Sequence, residues 1–114
     1  MKIQVNTDEN IEGREALATR VSATVEHALQ RFRGQVTRLE VHLSDQNGAK
    51  SGQRDKRCVM EARLEGRQPI AASDDAATLD QAVRGAADKL ARLIDSQLGR
   101  AASTERSPDK PAAP

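Results

Sequence analysis

Tryptophan and tyrosine are absent from this chain, and Phe32 is its only aromatic residue. Surfaces that hold nucleic acid by stacking successive bases on aromatic rings are therefore disfavoured, and an RRM or cold-shock reading with them. Cysteine occurs once, at Cys58, so an intramolecular disulfide and a multi-cysteine metal site are both ruled out, and the lone thiol suits a reducing compartment. No apolar run approaches the ~18 residues that a membrane span needs. The opening MKIQVNTDEN carries no signal-peptide hydrophobic stretch. The chain thus reads as cytoplasmic, without a membrane partner. Neither sign of charge is in excess: charged residues make up 31% of the chain and sum to a formal +1. A strongly basic field over the whole molecule is excluded, so any affinity for nucleic acid must come from local clustering.

A catalytic constellation is missing too. His27 and His42 fall on a predicted helix and a predicted strand, Cys58 falls on the inward face of a strand, and no serine stands in a G-x-S-x-G setting. The stretch NGAKSGQRDK has glycines and lysines without the G-x-x-x-x-G-K-[ST] spacing that cradles phosphates. Lacking a nucleophile, base and orienter set, the protein is not expected to be an enzyme, and no cofactor, metal or small-molecule substrate is implied.

What is present is periodicity. Residues 73–99, SDDAATLDQAVRGAADKLARLIDSQLG, read as one long amphipathic helix. At 100° per residue Leu79, Val83, Ala86, Ala87, Leu90, Leu93 and Ile94 share a stripe, with Gln81, Arg84, Gly85, Asp88 and Arg92 opposite. Asp74 or Asp75 is the expected N-cap and Gly99 the expected stop. A first helix is predicted over 14–32, where Leu17, Val21, Val25, Ala28, Leu29 and Phe32 fall together and Gly34 ends the run. Period-two alternation marks strands at 2–6, with Ile3 and Val5 inward, at 36–44, with Leu39, Val41 and Leu43 inward, and at 57–65, with Cys58, Met60, Ala62 and Leu64 inward. A fourth strand fits 70–73, and SDQNGAKSGQRDK between the second and third is a loop by composition.

The order β-α-β-β-β-α, with one apolar face per element, solves its burial problem as an α+β two-layer sandwich: a four-stranded sheet, two helices on one face, water on the other. The helical crossover after the first strand allows a parallel, right-handed pairing there. At 114 residues one domain is expected, over 1–99, and 100–114, rich in Ala, Ser and Pro without apolar period, is expected to be a disordered tail.

Two local clusters of charge bear on function. Arg20, His27 and Arg31 lie within about 40° of one another at the edge of the first apolar stripe, with no acidic residue among them. With both helices on one sheet face, this edge would stand near Lys89 and Arg92 of the closing helix and form a positive groove. The loop adds Lys50, Arg54, Lys56 and Arg57 against Asp45 and Asp55. Lys and Arg point charges of this kind suit phosphates. On the closing helix Arg84, Asp88, Arg92 and Asp95 instead alternate in sign, the pattern of a solvated ladder, while Gly85 costs that helix roughly 1 kcal/mol relative to Ala unless something approaches its backbone closely.

The element order, the opening strand with Ile3 and Val5, the strand ending VHLS, and the run Asp88-Lys89-Leu90-Ala91-Arg92-Leu93 resemble the ribosome hibernation promoting factor family, which includes the ribosome-associated inhibitor called protein Y. The resemblance spans residues 2–98 and matches the short form. It implies a fold akin to a double-stranded RNA-binding domain, and binding to small-subunit ribosomal RNA in the channel used by messenger and transfer RNA. Translation would be inhibited by occupancy in starved or stationary cells, without catalysis. The matched motif positions are Lys89 and Arg92; Arg20, Arg31, Arg84 and the loop cations Lys50, Arg54, Lys56 and Arg57 follow from face geometry. The sequence departs from the family pattern at Asp80, where many members carry an aromatic residue, and at Asp95, Ser96 and Gln97, where they continue with lysines. The alternative consistent with that lowered basic density is a protein-interaction module that has kept the fold and lost the RNA surface. Ribosome dimerisation, a property of a second domain in long forms of the family, is not expected of this chain alone.

Overall fold

The computed structural model describes residues 1–8, 11, 13–45 and 55–106. Strand β1 (Lys2–Thr7) leads through helix α1 (Arg14–Ala28) and a 3-10 turn (Gln30–Phe32) to β2 (Val36–Asp45), which is followed by β3 (Lys56–Leu64), β4 (Ile70–Ala76) and helix α2 (Leu79–Arg106). The sheet order is β1-β2-β3-β4, with β1 parallel to β2 and the remaining pairs antiparallel. This is the α+β arrangement expected from the alternation of periods, a mixed four-stranded sheet with two helices.

The inward positions of the strands are those the period-two pattern marks. Leu39, Val41 and Leu43 of β2 and Cys58, Met60, Ala62 and Leu64 of β3 are buried. They meet Val83, Ala86, Leu90 and Ile94 of α2 and Leu17, Val21 and Val25 of α1 in one core. Val36 is buried as well, although strict alternation from Leu39 would turn it outward. The register shifts between Val36 and Arg38, and this irregularity lets one extra residue, Thr37, bridge to the Arg63 carbonyl through its hydroxyl at 3.0 Å. Ile3 and Val5 are only partly buried, as befits an edge strand.

Three predicted boundaries move. The first helix does not run to residue 32: it stops at Ala28, Leu29 leaves helical geometry (φ −108°, ψ 16°), and a 3-10 turn tucks Phe32 into the core. The closing helix does not begin at 73, and neither Asp74 nor Asp75 caps it. Both belong to β4, where Asp74 pairs with Cys58 and Asp75 with Arg57 across the ladder, and the backbone N–H of Gln81 donates to the Thr78 hydroxyl at 3.1 Å. At the other end the helix passes Gly99 and continues to Arg106; residues 107–114 of the expected tail lie outside the described residues. Leu93, placed in the apolar stripe by its angle, is 43% exposed, while Ala82 and Ala91 are buried instead. The stripe is thus rotated toward the small residues, which lets the helix lie close to the sheet.

Candidate nucleic-acid interface

The position of each predicted cation depends on which neighbour its element meets. Lys89 and Gly85 lie on the flank of α2 that covers β4, the edge strand. An added Cβ at Gly85 would fall on the carboxyl group of Asp74. Lys89 Nζ donates to Asp74 Oδ1 at 3.0 Å and to the Ser73 carbonyl at 3.1 Å. The glycine on the polar side of the helix is therefore explained by a strand's carboxylate resting against the helix backbone, with the lysine closing over it. Lys89 does not join α1 in a shared groove, as its angle on the helix suggested; it clasps α2 to β4.

Two of the loop cations are held in a similar way. Arg57 makes a two-pronged contact with Asp75 across the β3–β4 ladder, Nε to Oδ1 at 2.8 Å and Nη2 to Oδ2 at 3.2 Å, and that carboxylate holds its pKa above the usual arginine value. Lys56 Nζ stands 3.0 Å from Asp55 Oδ1 and 3.4 Å from Asp45 Oδ1, at the foot of the connection between β2 and β3. Its hydrogen bond to the buried Asp55 is the main reason its pKa is raised. Lys50 and Arg54 lie outside the described residues.

The remaining cations gather where α1 packs beside α2. Arg20 of α1 faces Asp80 of α2, Nη2 to Oδ1 at 3.6 Å, and Arg31 in the 3-10 turn faces Asp95, Nη2 to Oδ2 at 3.9 Å. The Arg31 guanidinium also lies 4.6 Å from the centre of the Phe32 ring. Between these pairs runs a shallow groove of about 570 Å³, lined by Thr24 and His27 from α1 and Arg84 and Asp88 from α2, with alanines as its floor. Arg33 and His27 line an adjoining hollow. Among the described residues Arg84, Arg92 and Arg33 make no ion pair, and the expected ladder Arg84-Asp88-Arg92-Asp95 does not close, because Asp95 turns to Arg31. A groove does run between the helices, with a different membership from that expected and with charges of both signs: Arg84 and Asp88 line it in place of Lys89, and Arg33 and Glu26 line the adjoining hollow. Arg33 is beyond reach of a 100° rotation because the chain leaves the α-helix at Leu29, four residues earlier.

Cys58 is fully buried and burial, with the Asp74 charge as a lesser cause, pushes its thiol up to about 12, which makes it a core side chain. Among the described residues no three His, Cys, Asp or Glu side chains converge as metal ligands, and no helix is long and apolar enough to cross a membrane. The surface between the helices thus carries arginines with aspartates beside them, Arg20 with Asp80, Arg31 with Asp95, and Arg84 with Asp88 along the same groove.

Comparison with known proteins agrees with the architecture. The crystal structure of the N-terminal domain of Thermus thermophilus protein Y superposes with a TM-score of 0.68 at 20% identity, covering 85% of this chain and 99% of that one. A ribosomal subunit interface protein from Coxiella burnetii gives 0.57 at 18% identity, with 90% and 98% covered. At those identities the likeness concerns the fold. No curated protein matches the sequence significantly. The model of a family of ribosome-associated modulation proteins, however, matches residues 3–101, nearly the whole of the β-α-β-β-β-α unit. On that match, and with the sheet order and helical layer described above, the chain belongs to the sigma 54 modulation protein / S30EA ribosomal protein family.

Proposed function

We propose that this protein associates with the small ribosomal subunit in the cytoplasm and inhibits translation by occupancy, its helical layer lying on ribosomal RNA in the channel that messenger and transfer RNA would use. The activity is binding, with no chemical step. The observation that carries the reading is the distribution of arginines along the seam of the two helices: Arg84 lines the groove, Arg33 lines the adjoining hollow, and Arg20 and Arg31 stand opposite Asp80 and Asp95 toward its two ends. A rigid, folded RNA presents phosphates at fixed spacings, and cations mounted on two packed helices can meet several at once without stacking on bases. Family membership supports the ribosome as the source of that RNA.

Co-sedimentation with purified small subunits at low and high salt tests the proposal. Saturable binding at low salt that falls steeply with salt is the expected result. The Arg84→Ala/Arg92→Ala double variant should bind more weakly and flatten the logarithmic salt slope by roughly one unit for each phosphate that is no longer neutralised. Absence of binding at low salt would remove the proposal. A second reading, a protein-interaction module on the same fold, is favoured by one observation: Arg20, Arg31, Lys56, Arg57 and Lys89 each face an aspartate of this chain. Binding to a protein partner that is insensitive to salt would be its signature.

A further inference from the structure

Among the described residues, two sets of ion pairs around the helices and the β3–β4 edge differ in geometry. Those that anchor β3 and β4 are short and partly shielded: Arg57 to Asp75 at 2.8 Å, Lys56 to Asp55 at 3.0 Å, Lys89 to Asp74 at 3.0 Å with the Asp74 side chain only 18% exposed. Those that join α1 and its 3-10 extension to α2 are long and open. Arg20 to Asp80 spans 3.6 Å with both side chains more than half exposed, and Arg31 to Asp95 spans 3.9 Å with both still more exposed. Pairs this open hold the fold together very little. They do change what the surface offers, since each places a carboxylate beside a guanidinium that faces solvent.

Asp80 and Asp95 lie fifteen positions apart on α2, about 22 Å at 1.5 Å per residue, and bracket the groove that Arg84 and His27 line. A phosphate approaching either end of the groove meets a guanidinium that already has an anionic partner at a distance too long for a strong hydrogen bond. A phosphate oxygen can come closer and bind in two-pronged fashion, but it must first displace the carboxylate. The displaced carboxylate then recruits a cation from solution, which opposes the counterion release that drives polyanion binding.

We propose that Asp80 and Asp95 are affinity-setting counter-ions of the helical surface, stand-ins for the phosphates of an RNA partner that must exchange with them. The two aspartates hold down affinity for polyanions in general, so that only a partner delivering phosphates to both ends of the groove at once overcomes them. This rests on the reading of the helical layer as an RNA surface.

The test is an Asp80→Asn/Asp95→Asn variant beside a control, Glu40→Gln/Glu61→Gln. The control removes the same charge and releases Arg38 and Arg63 from ion pairs at 3.0 and 3.5 Å on the opposite, solvent face of the sheet. Both variants and the unaltered chain are run on immobilised heparin and titrated with small subunits. The aspartate variant should leave heparin at clearly higher salt than the control. It should bind subunits about ten-fold more tightly, against less than about two-fold for the control, with a steeper salt slope. Equal shifts in the two variants would assign the effect to net charge and overturn the proposal, as would no shift in the aspartate variant. A heparin shift specific to the aspartates, with no form binding subunits, would uphold the counter-ions and remove the ribosomal assignment instead.

Discussion

Replacing Gly85 by alanine separates what helix propensity predicts from what packing predicts, because the two disagree in sign. In an isolated helix the substitution gains about 1 kcal/mol, the difference between glycine and alanine in a helix interior. In this protein the new methyl group would land on the Asp74 carboxyl group, whose own Cβ lies 3.2 Å from the position the methyl takes. Asp74 is short, and its other oxygen is held by Lys89 at 3.0 Å, so the carboxylate can move aside only by breaking that hydrogen bond or by pushing β4 away from α2. Overpacking of this kind costs about 1–3 kcal/mol. With the charged hydrogen bond broken as well, discounted because Lys89 is about half exposed, it outweighs the propensity gain. The expected result is a net destabilisation of about 1–2 kcal/mol, read as a drop in thermal midpoint of about 4–8 °C per kcal/mol for a domain of this size. Asp74→Ala provides the second arm of a double-mutant cycle. With the carboxylate gone, Gly85→Ala should become stabilising by up to about 1 kcal/mol, reduced somewhat by the remaining approach of the two methyl groups. Urea unfolding of the four proteins, compared at constant m-value, reads the coupling. Stabilisation by Gly85→Ala in the otherwise unaltered chain would refute the reasoning, since it would mean that no strand side chain rests on the helix there.

Thr78→Ala should cost about 1 kcal/mol, because the hydroxyl accepts the Gln81 N–H at the first turn of α2, whereas Asp75→Asn should leave that helix end unchanged; chemical denaturation of both variants distinguishes the caps. Cys58 gives a pH prediction. Its thiol is held up at about 12 in the folded protein against an ordinary value of 9.0, so above pH 9 the unfolded chain loses this proton and the folded one keeps it. Stability therefore falls as pH rises from about 9 to 12, by at most ~1.4 kcal/mol per unit. Below pH 9 the thiol contributes no pH dependence. Cys58→Ala should flatten that alkaline limb, and a thiol reagent at pH 8 should label the unaltered protein only at its rate of opening.

The sheet and its inward residues were legible because strand periodicity is local. Leu39, Val41 and Leu43 alternate on their own, and no distant partner is needed to know which face they share. The same holds for the buried stripe of α1 through Leu29. Helical angles mislead where the chain changes geometry, at the 3-10 turn that brings in Phe32 and Arg33, and at β4, whose Asp74 and Asp75 have the composition of a helix start. Acidic residues are common to both settings, and the ladder pairing to Cys58 and Arg57 decided between them.

For the candidate interface the division is the same. Sequence by itself determined that the chain is α+β in class, near-neutral in charge and without a set of stacking aromatics, and that Arg20 and His27 share a helix edge. Only the tertiary structure decided which cations meet which anions: Lys89 with Asp74, Arg57 with Asp75, Arg20 with Asp80 and Arg31 with Asp95. Hydrophobic period is a property of one element, fixed by 3.6 or 2 residues per repeat. An ion pair between elements depends on where two elements are set against each other, and Coulomb attraction acts on that distance without regard to separation along the chain.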